Sequence, residues 1–231
     1  MKLLDLRRIF LVIGLGLITW NCTYAQDWAN LNKYKVANDM IGIADAKQQR
    51  VVFMGNSITE GWTNHYPEFF KNTSYINRGI SGQTTPQMLL RFRSDVINLR
   101  PALVVILAGT NDIAGNTGPT TLEEIANNIF SMVELAAYHD IKVIISSVLP
   151  ARNYPWSSGC NPDVKIPELN RMLKQYAKKN RITYLDYFEA MVDDNKGLIT
   201  DLTYDGVHPN TQGYQLMSDM VNRAIKKALK K

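Results

Sequence analysis

Cysteine and histidine are scarce in this 231-residue chain, and their scarcity excludes two kinds of protein at once. Two cysteines, Cys22 and Cys160, cannot build a disulfide framework or a four-thiolate zinc site. Three histidines, His65, His139 and His208, leave little material for metal chemistry, and the first two have no partner at metal-ligand spacing. The phosphate-binding patterns are missing as well. There is no Walker lysine motif, and Gly79-x-x-Gly82 is only a fragment of a dinucleotide fingerprint. Charge of one sign is not concentrated either. Lys and Arg number 26 against 21 Asp and Glu, a net charge of +5, with several bases at the chain ends, a weak basis for nucleic-acid binding. The longest apolar run, Ile9 to Trp20, falls short of the roughly 20 residues a membrane span needs.

What is present begins with that run. Lys2, Arg7 and Arg8 precede it, and Thr23-Tyr24-Ala25 follows with small residues suited to signal peptidase. Residues 1–25 thus read as a signal peptide and 26–231 as a single domain, secreted or periplasmic and with no stable membrane insertion after cleavage. Lipid anchoring through Cys22 is the weaker reading, because Asn21 precedes that cysteine. Cleavage lowers the net charge from +5 to +3, by loss of Lys2, Asp5, Arg7 and Arg8, and leaves Cys160 without a partner.

With 45% apolar and 20% charged residues, the remainder has an ordinary globular composition. Strand-length apolar runs recur at 51–54, 75–76, 103–107, 143–145 and 182–185, and the β-branched ones suit strands buried on both faces. Helical spacing occupies 86–99, 121–139, 166–179 and 212–230; in the last, Leu216, Met220 and Ile225 fit one buried stripe. The alternation predicts α/β architecture with a parallel sheet covered on both faces. Pro150 to Pro167 reads as a long loop.

Ligands of open parallel sheets sit beyond the carboxyl ends of the strands. Four polar, glycine-containing segments converge on that edge: Gly55-Asn56-Ser57-Ile58-Thr59, Asn77-Arg78-Gly79-Ile80-Ser81-Gly82-Gln83 and Gly109-Thr110-Asn111-Asp112 after the first three strands, and Asp205-Gly206-Val207-His208-Pro209 before the final helix. Ser57 stands where a strand turns into a helix. His208 is the natural base for it, since an imidazole titrates near pH 6.5, about neutral, and Asp205 lies three residues away to orient the ring. Gly82 can bring a backbone N–H to a developing oxyanion, Asn111 a side-chain N–H, and the Ser57 N–H a third. Each feature alone is equally well a cap or a turn. The elbow G-x-S-x-G is absent because Thr59 holds its last position.

Together the four segments resemble the SGNH, or GDSL, hydrolases, named for a Ser, Gly, Asn and His in separated blocks. Ser57, Gly82, Asn111 and His208 with Asp205 match those blocks in order over residues 50–215; Asn56 stands where the family often has Asp. The resemblance implies a flavodoxin-like three-layer α/β/α sandwich with a five-stranded parallel sheet, and a metal-free esterase or acylhydrolase with no organic cofactor. Within the family, the chain is similar to platelet-activating-factor acetylhydrolase-like and carbohydrate-esterase members. The substrate expected is a short, acetyl-type ester on a small molecule or glycan, with Trp62, Tyr154 and Trp156 at the rim. A lipid or phospholipid acylhydrolase, an acyltransferase, and a silent glycan-binding module on the same fold remain alternatives.

Overall fold

The computed structural model describes residues 27–42, 49–72 and 74–230, so the signal-peptide reading and Cys22 lie outside the described residues. Five strands pair in parallel in the order β2-β1-β3-β4-β5: β1 (Val51–Gly55), β2 (Tyr75–Gly79), β3 (Leu103–Leu107), β4 (Lys142–Ser146) and β5 (Thr183–Leu185). This is the doubly wound, flavodoxin-like order, and its reversal point falls between β1 and β3.

The period of two in each strand divides the core. Val52, Met54, Val104 and Ile106 face one side, where they pack with α3 (Thr85–Asp95), α5 (Leu122–Tyr138) and α6 (Pro162–Lys179). Val51, Phe53, Leu103, Val105 and Leu107 face the other, against α2 (Ser57–His65), α7 (Tyr187–Met191) and α8 (Thr211–Lys230). Every residue of β1 and β3 is buried, as continuous apolar strands covered on both faces must be. Helix α5 starts on a capping box: the Thr121 hydroxyl accepts from the Glu124 N–H while the Glu124 carboxylate accepts from the Thr121 N–H. Two short helices, α1 (Lys35–Ile41) and α4 (Thr110–Ile113), complete the set used below.

Four expectations need correction. Residues 150–167 are not all loop, because α6 begins at Pro162 and carries Pro167 inside it. Proline at the first helical position needs no N–H partner, and Pro167 follows only one turn later, where little of the ladder is lost. In α8 the buried stripe is Tyr214, Met217, Val221, Ile225 and Ala228, whereas Leu216 and Met220 are half-buried beside it. Trp62 is not at a rim: it is 2% exposed, stacked on Phe69 at 4.9 Å, and donates its indole N–H to Ser218 Oγ at 3.1 Å. Tyr154 is also buried, at 3% exposed. His139 is half-buried with its Nε2 out of contact with solvent.

Candidate active site

The site grows out of strand register. Gly55 and Gly79 are paired at the carboxyl ends of β1 and β2, so the loops that follow start side by side. A Cβ on Gly79 would lie 2.1 Å from the Glu60 N, so only glycine lets β2 come this close to α2. Asn56 caps α2, its Oδ1 accepting from the Ile58 N–H at 3.1 Å, and the next residue, Ser57, is half-buried. An asparagine here performs the cap without placing a negative charge beside the serine.

The Ser57 Oγ lies 3.0 Å from His208 Nε2, and His208 Nδ1 lies 2.7 Å from Asp205 Oδ2. For the ring to accept from the Ser57 hydroxyl, its proton must be on Nδ1 and donated to Asp205. The other oxygen of Asp205 accepts from the backbone N–H groups of His208 at 2.7 Å and Val207 at 2.9 Å. Partial burial works against ionisation of Asp205, but the bonds from His208 and Val207 outweigh it and hold the carboxyl below its ordinary value. A carboxylate is thus available to balance charge on the ring. The turn that presents the pair is tied by Thr203, whose hydroxyl donates to the His208 carbonyl at 2.7 Å and accepts from the Gly206 N–H at 2.9 Å.

Gly82 has φ +76°, which aims its peptide groups as an L side chain would resist. Its N–H and that of Ser57 have no hydrogen-bond partner among the described residues. Asn111, in α4, spends one amide hydrogen on the Gln83 carbonyl at 3.0 Å and has a second to offer. The same bond joins the Asn111 segment to the Gly82 loop, so these two donors are held relative to each other.

Three side chains without an assigned role in the sequence reading hold this arrangement. Asp112 is buried and accepts from the Thr85 N–H at 2.9 Å and its hydroxyl at 2.5 Å, fastening α4 to the start of α3. Burial raises its carboxyl above the ordinary range against the pull of those bonds. Arg91, fully buried, donates to Gln83 Oε1 at 2.5 Å, to Asp95 at 2.9 Å and to the Gly55 carbonyl at 3.0 Å. Asn116 donates to the Gly82 carbonyl at 3.1 Å and accepts from the Trp156 indole at 3.2 Å. A sequence signal existed for Arg91: with Met88, Phe92 and Asp95 it falls on the i, i+3, i+4, i+7 stripe of α3, where charges are found only if paired. Residues 27–42 add a clasp, with the Ala29 carbonyl accepting from Gln83 Nε2 at 2.7 Å and the Tyr34 hydroxyl donating to the Gly79 carbonyl.

Among the described residues, no three His, Cys, Asp or Glu side chains gather as a metal site, and no helix is long and apolar enough to cross a membrane. Cys160 is a free, half-buried thiol whose Sγ lies 3.0 Å from the Ser157 hydroxyl.

A doubly wound sheet with these residues at its carboxyl edge falls in the class of α/β ester hydrolases. The chain belongs to the GDSL-like lipase/acylhydrolase family, whose model matches residues 53–216. A solved structure from Bacteroides fragilis NCTC 9343, provisionally described as an acylhydrolase, is similar at 51% identity with a TM-score of 0.86, covering 88% of this chain and 99% of that one. An acetylxylan esterase of Geobacillus stearothermophilus is 24% identical over 69% of this chain and 74% of its own length. The lipoprotein YqeF of Bacillus subtilis is 31% identical over 43% of this chain, and the match spans about half, 48%, of that relative's length.

Proposed function

We propose that this protein is an exported serine esterase that removes short acyl groups, acetyl foremost, from carbohydrate hydroxyls. The observation that carries the reading is the unbroken hydrogen-bonded chain from Ser57 through His208 to Asp205, beside the unpartnered N–H groups of Ser57 and Gly82. In the reaction, Ser57 Oγ attacks the ester carbonyl carbon as its proton passes to His208 Nε2, and Asp205 balances the imidazolium. The N–H groups of Ser57, Gly82 and Asn111 take the negative charge that forms on the carbonyl oxygen. Collapse of the intermediate breaks the bond to the alcohol, which leaves with the proton from His208. Water then attacks the acyl-enzyme, giving its proton to His208, and the acid departs as Ser57 regains its hydrogen. Every proton is accounted for within the three residues, and no cofactor enters the scheme.

The carbohydrate part of the reading is supported by the acetylxylan esterase among the relatives. Its test is a panel of nitrophenyl esters of rising chain length together with acetylated xylan, acetylated sugars and sialic acid esters. We expect kcat/KM to fall steeply from acetyl to octanoyl, with acetate released from acetylated oligosaccharides. Preference for octanoyl esters, or no acetate from any acetylated glycan, would move the assignment to lipid or phospholipid esters. Product analysis with added sugar acceptors separates hydrolysis from acyl transfer.

Asn111→Ala is expected to lower kcat by about 10²- to 10³-fold with little change in KM, because its bond strengthens as the oxyanion develops. An effect confined to KM would place Asn111 in substrate recognition instead. For export, N-terminal sequencing of the protein recovered outside the cytoplasm should begin within a residue or two of Gln26. An intact Met1, or a lipid on Cys22, would contradict this.

A further inference from the structure

The rings around His208 divide the site into two sides. Tyr204 stacks beside the imidazole with centroids 5.8 Å apart and planes within 11°, and Trp156 lies 6.1 Å away, tilted by 36°. Both are open to solvent, at 59% and 45% exposure. They approach from different flanks. Trp156 is anchored on the Gly82 side by its indole bond to Asn116, and its ring stacks on buried Tyr154 at 5.1 Å. Tyr204 is anchored on the α2 side, stacked on His65 at 5.5 Å, with Tyr214 behind that histidine at 5.7 Å.

Stereochemistry then says which half of an ester meets these rings. The carbonyl oxygen must point to the N–H groups, and the alcohol oxygen must come within reach of His208 Nε2, which protonates it as it leaves. The alcohol therefore occupies the neighbourhood of the imidazole, and the acyl substituent takes the direction away from it. We propose that Tyr204 and Trp156 are specificity-determining residues for the alcohol side of the ester, and that the alcohol they take is a pyranose ring. Flat aromatic faces suit the axial C–H face of such a ring, whose hydroxyls still reach water at an open rim. Trp156 is held in place before substrate arrives, through Asn116 and Tyr154, so little side-chain freedom is lost on binding. Tyr204 gains its orientation from His65 in the same way. The inference rests on the esterase reading above and adds to it the surface that selects the leaving group.

The test compares an acetylated xylopyranoside with ethyl acetate, both carrying the same acyl group, in Tyr204→Ala, Tyr204→Phe, Trp156→Ala and Trp156→Phe. In each alanine variant the ratio of kcat/KM for pyranoside over ethyl acetate should fall about tenfold, mostly through KM, the change expected for one lost ring contact. Both phenylalanine variants keep a ring face and should hold the ratio within about threefold of wild type. A ratio unchanged in both alanine variants, while both substrates slow together, would overturn the inference: the rings would then only orient His208, and the esterase reading would stand. A ratio lost in Trp156→Phe as fully as in Trp156→Ala would also overturn it for Trp156, assigning the effect to the bond with Asn116. A wild-type enzyme that releases no acetate from acetylated pyranosides would overturn the carbohydrate reading and this inference with it.

Discussion

Ser57→Ala is expected to leave the sheet and its helices unchanged and to lower turnover of nitrophenyl acetate by about 10⁴- to 10⁶-fold. Ser57 is only half-buried, and the bond it makes is to a side chain that already has Asp205 as a partner. Loss of its hydroxyl should therefore cost less than about 1 kcal/mol in stability, visible as nearly superimposable thermal unfolding curves. Catalysis has no such reserve. Without Oγ there is no acyl-enzyme, and what survives is whatever the N–H groups of Ser57, Gly82 and Asn111 give to direct attack by water. A fluorophosphonate should label wild type at Ser57 and fail on the variant. Retention of more than about a tenth of wild-type turnover, or labelling of another serine, would remove Ser57 from the mechanism. His208→Ala should fall nearly as far, since residues of one hydrogen-bonded chain act as a unit rather than additively.

How much of this was legible beforehand depended on the range of the interaction that decides each element. Strands such as β3 announce themselves through five consecutive apolar residues, and the structure places that strand on the same residues, Leu103–Leu107. The helix ends are local too: Thr121 with Glu124 is a capping box written in the chain. The first three blocks were visible because each carries glycine or asparagine where a strand ends, and the fourth because Asp205 stands three residues before His208 in a turn ahead of the last helix. Apart from the pairing of Ser57 with His208, long-range partners were not. Nothing near Trp62 in sequence tells that Ser218 will meet its indole, so an aromatic residue close to Ser57 looked like a rim residue and proved to be core. The helical spacing read from residue 166 begins about one turn too late, because Pro162 is the first residue of α6. Tyr204, which the structure places against the His208 ring, sits directly before Asp205 and carries no local signature beyond its aromaticity.

Arg91 shows the same limit with a larger energy attached, and it yields the second strong expectation. Its guanidinium is 0% exposed, and Asp95 beside it is 1% exposed. A charge in that environment costs several kcal/mol to desolvate, which only its partners offset. Those partners are the Asp95 carboxylate, Gln83 Oε1 and the Gly55 carbonyl. Arg91→Met keeps most of the volume but leaves Asp95 without a bonded cation, with the Asn38 amide at 2.8 Å, a long contact to Ser94 Oγ and the nearby charge of Arg78. The expected loss is about 3–5 kcal/mol in urea unfolding, and it should be largely recovered when Asp95→Leu is added, since an apolar pair of similar size suits the site. The recovered double variant then isolates the second role of Arg91. Gly55 lies two residues before Ser57, and Gln83 directly follows Gly82, so one guanidinium ties the strand before the proposed nucleophile to the loop of the proposed oxyanion donor. If that tie sets their spacing, the double variant should fold stably yet turn over about tenfold more slowly, with KM nearly unchanged, as expected for a group felt mainly in the transition state. Full activity at full stability would mean that the backbone alone holds the two loops in register. A single variant losing less than about 1 kcal/mol would mean that Asp95 is not stranded by the loss of Arg91.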